Sequence, residues 1–456
     1  MKNLFFLVVV NLLLSIGLLG EQEGLISTYI MVNSFLLVGV IFIKLNFNNK
    51  FFIQTFKIFK ISFLSYLFFV IITNFLYVQN PLNEYFVHSD QTTFYRYSIQ
   101  LSVYDWSSLF AVIFDDNQFL FRNNAGAVFL FTAITKISKL LDGTNIIIMK
   151  SLIVLFGSLI PPFIYNLLCL NNNIKKPFVY TLFFIFLSHN FFFSTILLRD
   201  IIISFFFIWL IYLTLKIFSY KNLLVSIFIV FTTVTLRPAS GLFMFLLLIA
   251  YIFNNLYAIS SINRRTYVIS AFLLLSAIST YFIYEINSRI ELSITSMRNY
   301  QYKSEIYEDG LRNRVNALPI YISTPANFLL SQMLPFPYYG HLSGQKNNEE
   351  NIFRIVESNA GFFWFTVWVF IVFTFFKKIL FKNLELIYKV LFIIAIIFIV
   401  GNTVEINIRR TMAVYPILYI ISCNGINLLT KSDFRNISFI SILLYLTLHI
   451  IHFALS

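Results

Sequence analysis

Stretches of about 20 apolar residues, each ended by a short polar or basic break, recur along most of this chain. Twenty residues of α-helix span about 30 Å, the hydrocarbon thickness of a bilayer. In hydrocarbon every backbone N–H and C=O must be satisfied within the spanning structure, so this recurrence restricts the fold to a bundle of helices. A β-barrel is excluded, because barrel strands alternate apolar and polar residues over about ten positions. Composition agrees: of 456 residues, 59% are hydrophobic and 12% charged, about half the charge of an ordinary soluble domain. The expected fold class is all-α: one polytopic integral membrane domain over 1–456. The opening "MKNLFFLVVVNLLLSIGLLGEQEG" has the charge and apolar run of a signal peptide but no clear small-x-small cleavage site. A second apolar run follows at once, so a retained first helix is expected.

Apolar runs predict helices near 3–20, 27–45, 61–79, 145–168, 177–196, 201–218, 222–236, 240–254, 266–284, 359–376, 385–401, 411–425 and 437–455, hence 12–13 transmembrane helices. Threaded alternately, one side collects Lys44, Lys50, Lys57, Lys60, Lys175, Lys176, Lys216, Lys221, Arg264, Arg265, Lys377, Lys378, Lys382, Lys431 and Arg435. The positive-inside bias makes that side cytoplasmic, with the N-terminus on it. These loops account for the net charge of +13, so no nucleic-acid partner is expected. Two long segments fall on the other side. Residues 80–144 form a first extracytoplasmic loop, within which 125–143 reads as an interfacial or re-entrant helix with Lys136 and Lys139 on its polar side. Residues 285–358 carry seven basic and eight acidic side chains, the balance of a folded extracytoplasmic subdomain. Cys169 and Cys423 are far apart in sequence and form neither a metal motif nor a disulfide framework.

Ionisable residues converge on the extracytoplasmic side. "TILLRDIII" puts Arg199 and Asp200 between two helices, and "TLRPASG" puts Arg237 at a helix end where Pro238 and Gly241 interrupt helical continuity. "GNTVEINIRRTMAVYP" adds Glu405, Arg409 and Arg410, and the first loop adds His88, Asp90, Tyr95 and Arg96. A single arginine at a helix end ordinarily snorkels to lipid phosphate. Several on the side that the positive-inside bias disfavours point to an anion bound there. A lipid-linked phosphate fits: Arg binds phosphate bidentately, and fixed charge aimed at developing charge stabilises a transition state. A carboxylate beside the acceptor hydroxyl would serve as general base. Aromatic residues such as Tyr95, Tyr338 and Tyr339 are candidate sugar contacts, with interfacial-belt packing as the competing explanation.

The segments "STILLRDIIISFFFIWLIYL", "TLRPASGLFMFLL", "PANFLLSQMLPFPYYG" and "EINIRRTMAVYPILYI" together resemble a group of bacterial polytopic glycosyltransferase-like proteins. Those proteins have an LRD motif, an RP-x-x-G motif, a P-F-P segment in the large outer loop and an Arg pair before a late helix. They are similar to Wzy-type O-antigen and capsule repeat-unit polymerases and to GT-C glycosyltransferases. The resemblance covers roughly 195–420, about half the chain. It implies a GT-C-like enzyme of the bacterial inner membrane acting on undecaprenyl-linked oligosaccharide at the periplasmic face, without a required metal or other cofactor. It implies further partners in the membrane lipid and in a chain-length regulator and flippase of the same pathway. Carried over by position, Arg199, Arg237, Arg409 and Arg410 would bind the lipid diphosphate, and Asp90, Asp200 and Arg237 would form the catalytic set. His88 would join Tyr95, Tyr338 and Tyr339 at the sugar. Two features depart from the GT-C pattern. The acidic loop follows the third expected helix rather than the first, and the nearest acid pair, Asp115–Asp116, lies further along.

Three classes of function fit such a chain: a repeat-unit polymerase or single-sugar transferase, a lipid-linked oligosaccharide flippase, and an assembly protein. A flippase needs cations lining a path through the membrane, whereas here they gather on one side. An assembly protein leaves the clustered arginines unexplained.

Overall fold

The computed structural model describes residues 2–19, 23–47, 49–78, 89–114, 124–170, 174–216, 219–255, 348–402 and 408–455, with Pro319, Ile322, Pro325 and Gln332 as isolated positions. Among them there are helices and connecting turns and no strand. Four helices are long and apolar enough to cross a membrane: α2 (Leu25–Asn46), α3 (Asn49–Val78, apolar over Phe51–Phe75), α7 (Ile146–Leu170) and α13 (Asn348–Phe376, apolar over Ile355–Phe376). Shorter apolar helices accompany them, including α1 (Lys2–Gly17), α8 (Pro177–Leu187), α10 (Asp200–Thr214), α11 (Tyr220–Leu236), α12 (Pro238–Asn255) and α15 (Leu386–Asn402). The chain is therefore an all-α protein with helices of membrane-spanning length. The helix expected at 266–284 lies outside the described residues.

Helix α7 is the central post. Its apolar window is 94% buried, and α2, α3, α8 and α10 pack around it. Two prolines inside it, Pro161 and Pro162, remove the N–H groups that would meet the carbonyls of Gly157 and Ser158 four residues earlier. Both carbonyls find outside donors. Asn190 Nδ2 donates to Gly157 O at 3.3 Å, and Ser62 Oγ donates to Ser158 O at 3.0 Å. A bundle core has no water to do this, so these polar side chains are part of the helix's own hydrogen bonding. Gly157 also lets the neighbouring chain come close, since a Cβ there would run into Ser194.

The segment before α7 ties α2 and α7 together. Asp142 accepts from the backbone N–H groups of Ile26 at 2.6 Å and Ser27 at 2.8 Å, which caps the first turn of α2 from another part of the chain. Desolvation alone would raise the Asp142 pKa, but those N–H bonds outweigh it and hold the carboxyl below its ordinary value. Asn145 donates to Gly24 O and Thr28 Oγ1 while its own Oδ1 caps Ile148 N of α7. Other contacts likewise join breaks assigned to one side by the Lys/Arg alternation: Lys216 Nζ to Asn46 O at 2.9 Å, and Lys377 to Asp433 at 2.6 Å.

Several elements differ from the sequence reading. Helix α3 begins at Asn49, ahead of the expected 61–79, so Lys50, Lys57 and Lys60 lie on the helix and not in a loop. Helix α13 begins at Asn348, inside the segment read as the 285–358 outer loop, most of which lies outside the described residues. The run expected as one helix over 177–196 is α8, then a short α9 (His189–Phe193), then an irregular stretch from Ser194 to Arg199. Ser188 turns the chain there, its Oγ accepting from Asn190 N to cap α9. The polar stretch around Asp90 is helical, α4 (Ser89–Leu101), followed by α5 (Trp106–Phe114) and α6 (Ala125–Lys139). The lysines expected on the polar side of α6 reach back to the carbonyl end of α4: Lys136 Nζ meets Ser102 O and Tyr104 O, and Lys139 Nζ meets Ser102 Oγ at 2.7 Å. Gly241 lies inside α12 and does not break it. Its missing side chain lets α12 approach α11, where a Cβ would stand 3.0 Å from Val234 Cα.

Candidate functional site

The end of α11 and the start of α10 are laced together by two adjacent pairs. Arg237 leaves the helix in an extended conformation, φ −159°, ψ 104°, because Pro238 disfavours α-geometry in the residue before it. That turns its side chain onto Asp200, with Nη2 at 2.6 Å from Oδ1. Reciprocally, Arg199 Nη1 donates to Leu236 O at 2.9 Å and meets a carbonyl that the end of α11 leaves unpaired. Asp200 in the first turn of α10 is also favoured by the helix dipole. Sequence adjacency suggests Asp200 as the partner of Arg199; the structure gives it to Arg237.

A second ion pair stands beside the first. Arg409, on the short helix α16 (Ile408–Thr411), places Nη1 at 2.5 Å from Asp90 Oδ2 on the first turn of α4. The single 3₁₀ turn Met412–Val414 that follows packs on α10, which brings Arg409 to the same place. Arg199 interacts through space with Arg237, Asp200, Asp90 and Arg409, so the two pairs form one cluster. Among the described residues the cluster holds three guanidinium groups and two carboxylates. The carboxylates differ in access: Asp90 is 45% exposed and Asp200 3%. Asp200 is thus a buried anchor for Arg237, and Asp90 is the carboxylate a ligand can reach.

Of the other residues singled out in the sequence, Arg410 is half-buried on the same turn as Arg409. Tyr95 is half-buried against the core, and Arg96 is exposed. His88, Tyr338, Tyr339, Glu405, Asp115 and Asp116 lie outside the described residues. Among the described residues no group of three or more His, Cys, Asp or Glu side chains could hold a metal ion.

Two further buried residues, one at the cluster and one on the helices beside it, carry no charge and so gave no electrostatic signal in the sequence. Gln91, next to Asp90, is buried, and its Oε1 accepts from Leu197 N at 3.0 Å. This fixes the irregular stretch that ends in Arg199. Gln332, within "PANFLLSQMLPFPYYG", is buried against α13 and α17 (Tyr415–Asn427). Its Oε1 accepts from the indoles of Trp364 at 3.1 Å and Trp368 at 3.0 Å, and from Tyr415 OH at 3.5 Å. Trp364 and Trp368 share a helix face at i, i+4 spacing, and Tyr415 stacks on Trp364 with ring centroids 3.6 Å apart. Gln332 is therefore bonded to the helix that begins just after Arg409 and Arg410.

Chemically the cluster is suited to an anion with several acceptor oxygens, held by guanidinium groups beside one accessible carboxylate. Comparison of the chain with protein-family models, curated proteins and solved structures returned no match.

Proposed function

We propose that this chain is a bacterial inner-membrane glycosyltransferase with a GT-C-like bundle of 12–13 spans. It would transfer lipid-linked sugar units at the extracytoplasmic face, joining undecaprenyl diphosphate-linked repeats in the synthesis of O-antigen, capsule or exopolysaccharide. The observation that carries this reading is the gathering of Arg199, Arg237 and Arg409 around two carboxylates of which only Asp90 is accessible.

In this reading the donor's diphosphate is bound by Arg237 and Arg409, with Arg410 alongside. Asp90 takes the proton of the acceptor hydroxyl, whose oxygen forms a bond to the anomeric carbon as the bond from that carbon to the diphosphate breaks. Charge arriving on the departing diphosphate is met by the arginines. Without donor, Asp90 is held by Arg409. A diphosphate competing for that guanidinium releases the carboxylate, so the base becomes available only once the donor is present. Asp200 orients Arg237 and takes no part in proton transfer.

Cells lacking the chain test this on a gel of surface polysaccharide. The expected pattern is a single repeat unit with no ladder, unrestored by Asp90→Asn expressed at wild-type level. An unchanged ladder refutes the polymerase reading, and an intact ladder missing a branch sugar points to a single-sugar transferase.

A further inference from the structure

We infer that Gln91 is an anion-contacting residue of this site: its Oε1 fixes the irregular stretch before α10, and its Nε2 donates to an oxygen of the bound phosphate group. The inference rests on the arginine cluster being a phosphate site. An amide side chain has one acceptor and one donor end, and a backbone N–H can be met only by the acceptor. The bond from Leu197 N therefore fixes which end is which. The donor end is then the other arm of the same amide, which makes no bond to Leu197. Gln91 is 1% exposed, and its Nε2 is buried with no hydrogen-bond partner among the described residues. A buried NH₂ group without an acceptor is unfavourable in an apolar bundle, where water is scarce.

The surroundings indicate what the acceptor is. Gln91 directly follows Asp90 of one ion pair, and Leu197 lies just ahead of Arg199 and Asp200 of the other. The unmatched donor thus belongs to a residue set between the segments that carry the two ion pairs and their guanidinium groups. A ligand attracted there is an anion rich in hydrogen-free oxygens, and a phosphate group offers both properties. A neutral amide adds direction to that attraction without adding charge that would repel the arginines.

The test uses the purified full-length chain in detergent micelles, with inorganic pyrophosphate as probe and amide hydrogen exchange at Leu197 as a second readout. Gln91→Glu keeps an acceptor for Leu197 N but replaces the donor with an oxygen. It is expected to leave Leu197 protected and to weaken pyrophosphate binding about 10- to 100-fold, the worth of one hydrogen bond to a charged group. Gln91→Met, which is neutral, is expected to weaken binding by about 10-fold or more and to speed exchange at Leu197. Wild-type affinity in either variant overturns the inference, as does loss of Leu197 protection in Gln91→Glu. If the wild-type chain itself binds no pyrophosphate, the phosphate reading of the cluster fails, whatever Gln91 does.

Discussion

Removing the Asp200 carboxylate should destabilise the protein more than removing the arginine it pairs with. The reasoning is electrostatic. Asp200 is 3% exposed and Arg237 12%, so neither charge is well solvated. Asp200→Asn deletes one of the two described carboxylates facing Arg199, Arg237 and Arg409, and leaves three guanidinium groups with Asp90 alone among the described residues. Breaking a buried pair from one side in this way costs about 3–5 kcal/mol. Arg237→Met instead leaves two guanidinium groups and two carboxylates among the described residues, and Asp200 still has Arg409 and Arg199 within electrostatic range. What it loses is one charged contact, about 1.5–3 kcal/mol. The assay is unfolding of the purified protein in mixed micelles at increasing SDS fraction, followed by tryptophan fluorescence. The ordering is the decisive quantity, and Arg237→Met at or below the stability of Asp200→Asn would refute it. That outcome would mean that the arginines are neutralised by groups other than Asp90 and Asp200.

Two further outcomes follow from α7. Asn190→Leu removes the donor to Gly157 O and should cost about 1–3 kcal/mol in the wild-type background. The cost should shrink by about 1 kcal/mol in a Pro161→Ala background, where residue 161 regains an N–H for that carbonyl; equal costs in both backgrounds would sink the account of the two prolines. Lys150, one turn into α7, is 3% exposed and makes no hydrogen bond or ion pair among the described residues. Lys150→Met should therefore raise the thermal unfolding midpoint, by about 1–4 kcal/mol in stability. A lowered midpoint would show that the ammonium makes a favourable contact.

The parts of the site that could be read in the sequence are those where charge is out of place. Arg199, Asp200, Arg237 and Arg409 stand out because hydrocarbon disfavours charge and the positive-inside bias disfavours cations on the side to which the threading of the sequence assigns them. Their convergence could be inferred from topology, since alternating spans return successive breaks to one side. The partner of each charge could not: the choice of Arg237 for Asp200 depends on the extended backbone that Pro238 imposes, and on Arg199 being drawn to Leu236 O. Gln91 and Gln332 were hidden for a different reason. A glutamine in a polar stretch is ordinary, and only its burial and its partners distinguish it. The break between α8 and α9 was masked because hydropathy averages over a window, which lets the phenylalanines of "HNFFFS" conceal His189 and Asn190.

That break bears on how the chain is made. Helix α8 has 11 residues and reaches about 16 Å, half the depth of the hydrocarbon. The residues that carry the chain on from there, Ser188, His189, Asn190, Ser194 and Thr195, are all buried, and Asn190 takes up a carbonyl of α7. A segment of this kind leaving the translocon by itself would present polar side chains and unpaired backbone to lipid. It becomes acceptable there only beside α7, which is synthesised earlier, and with α10, which follows. The arginine–aspartate lacing of α10 to the end of α11 is then a late event of biogenesis, formed only after α11 has followed these helices out.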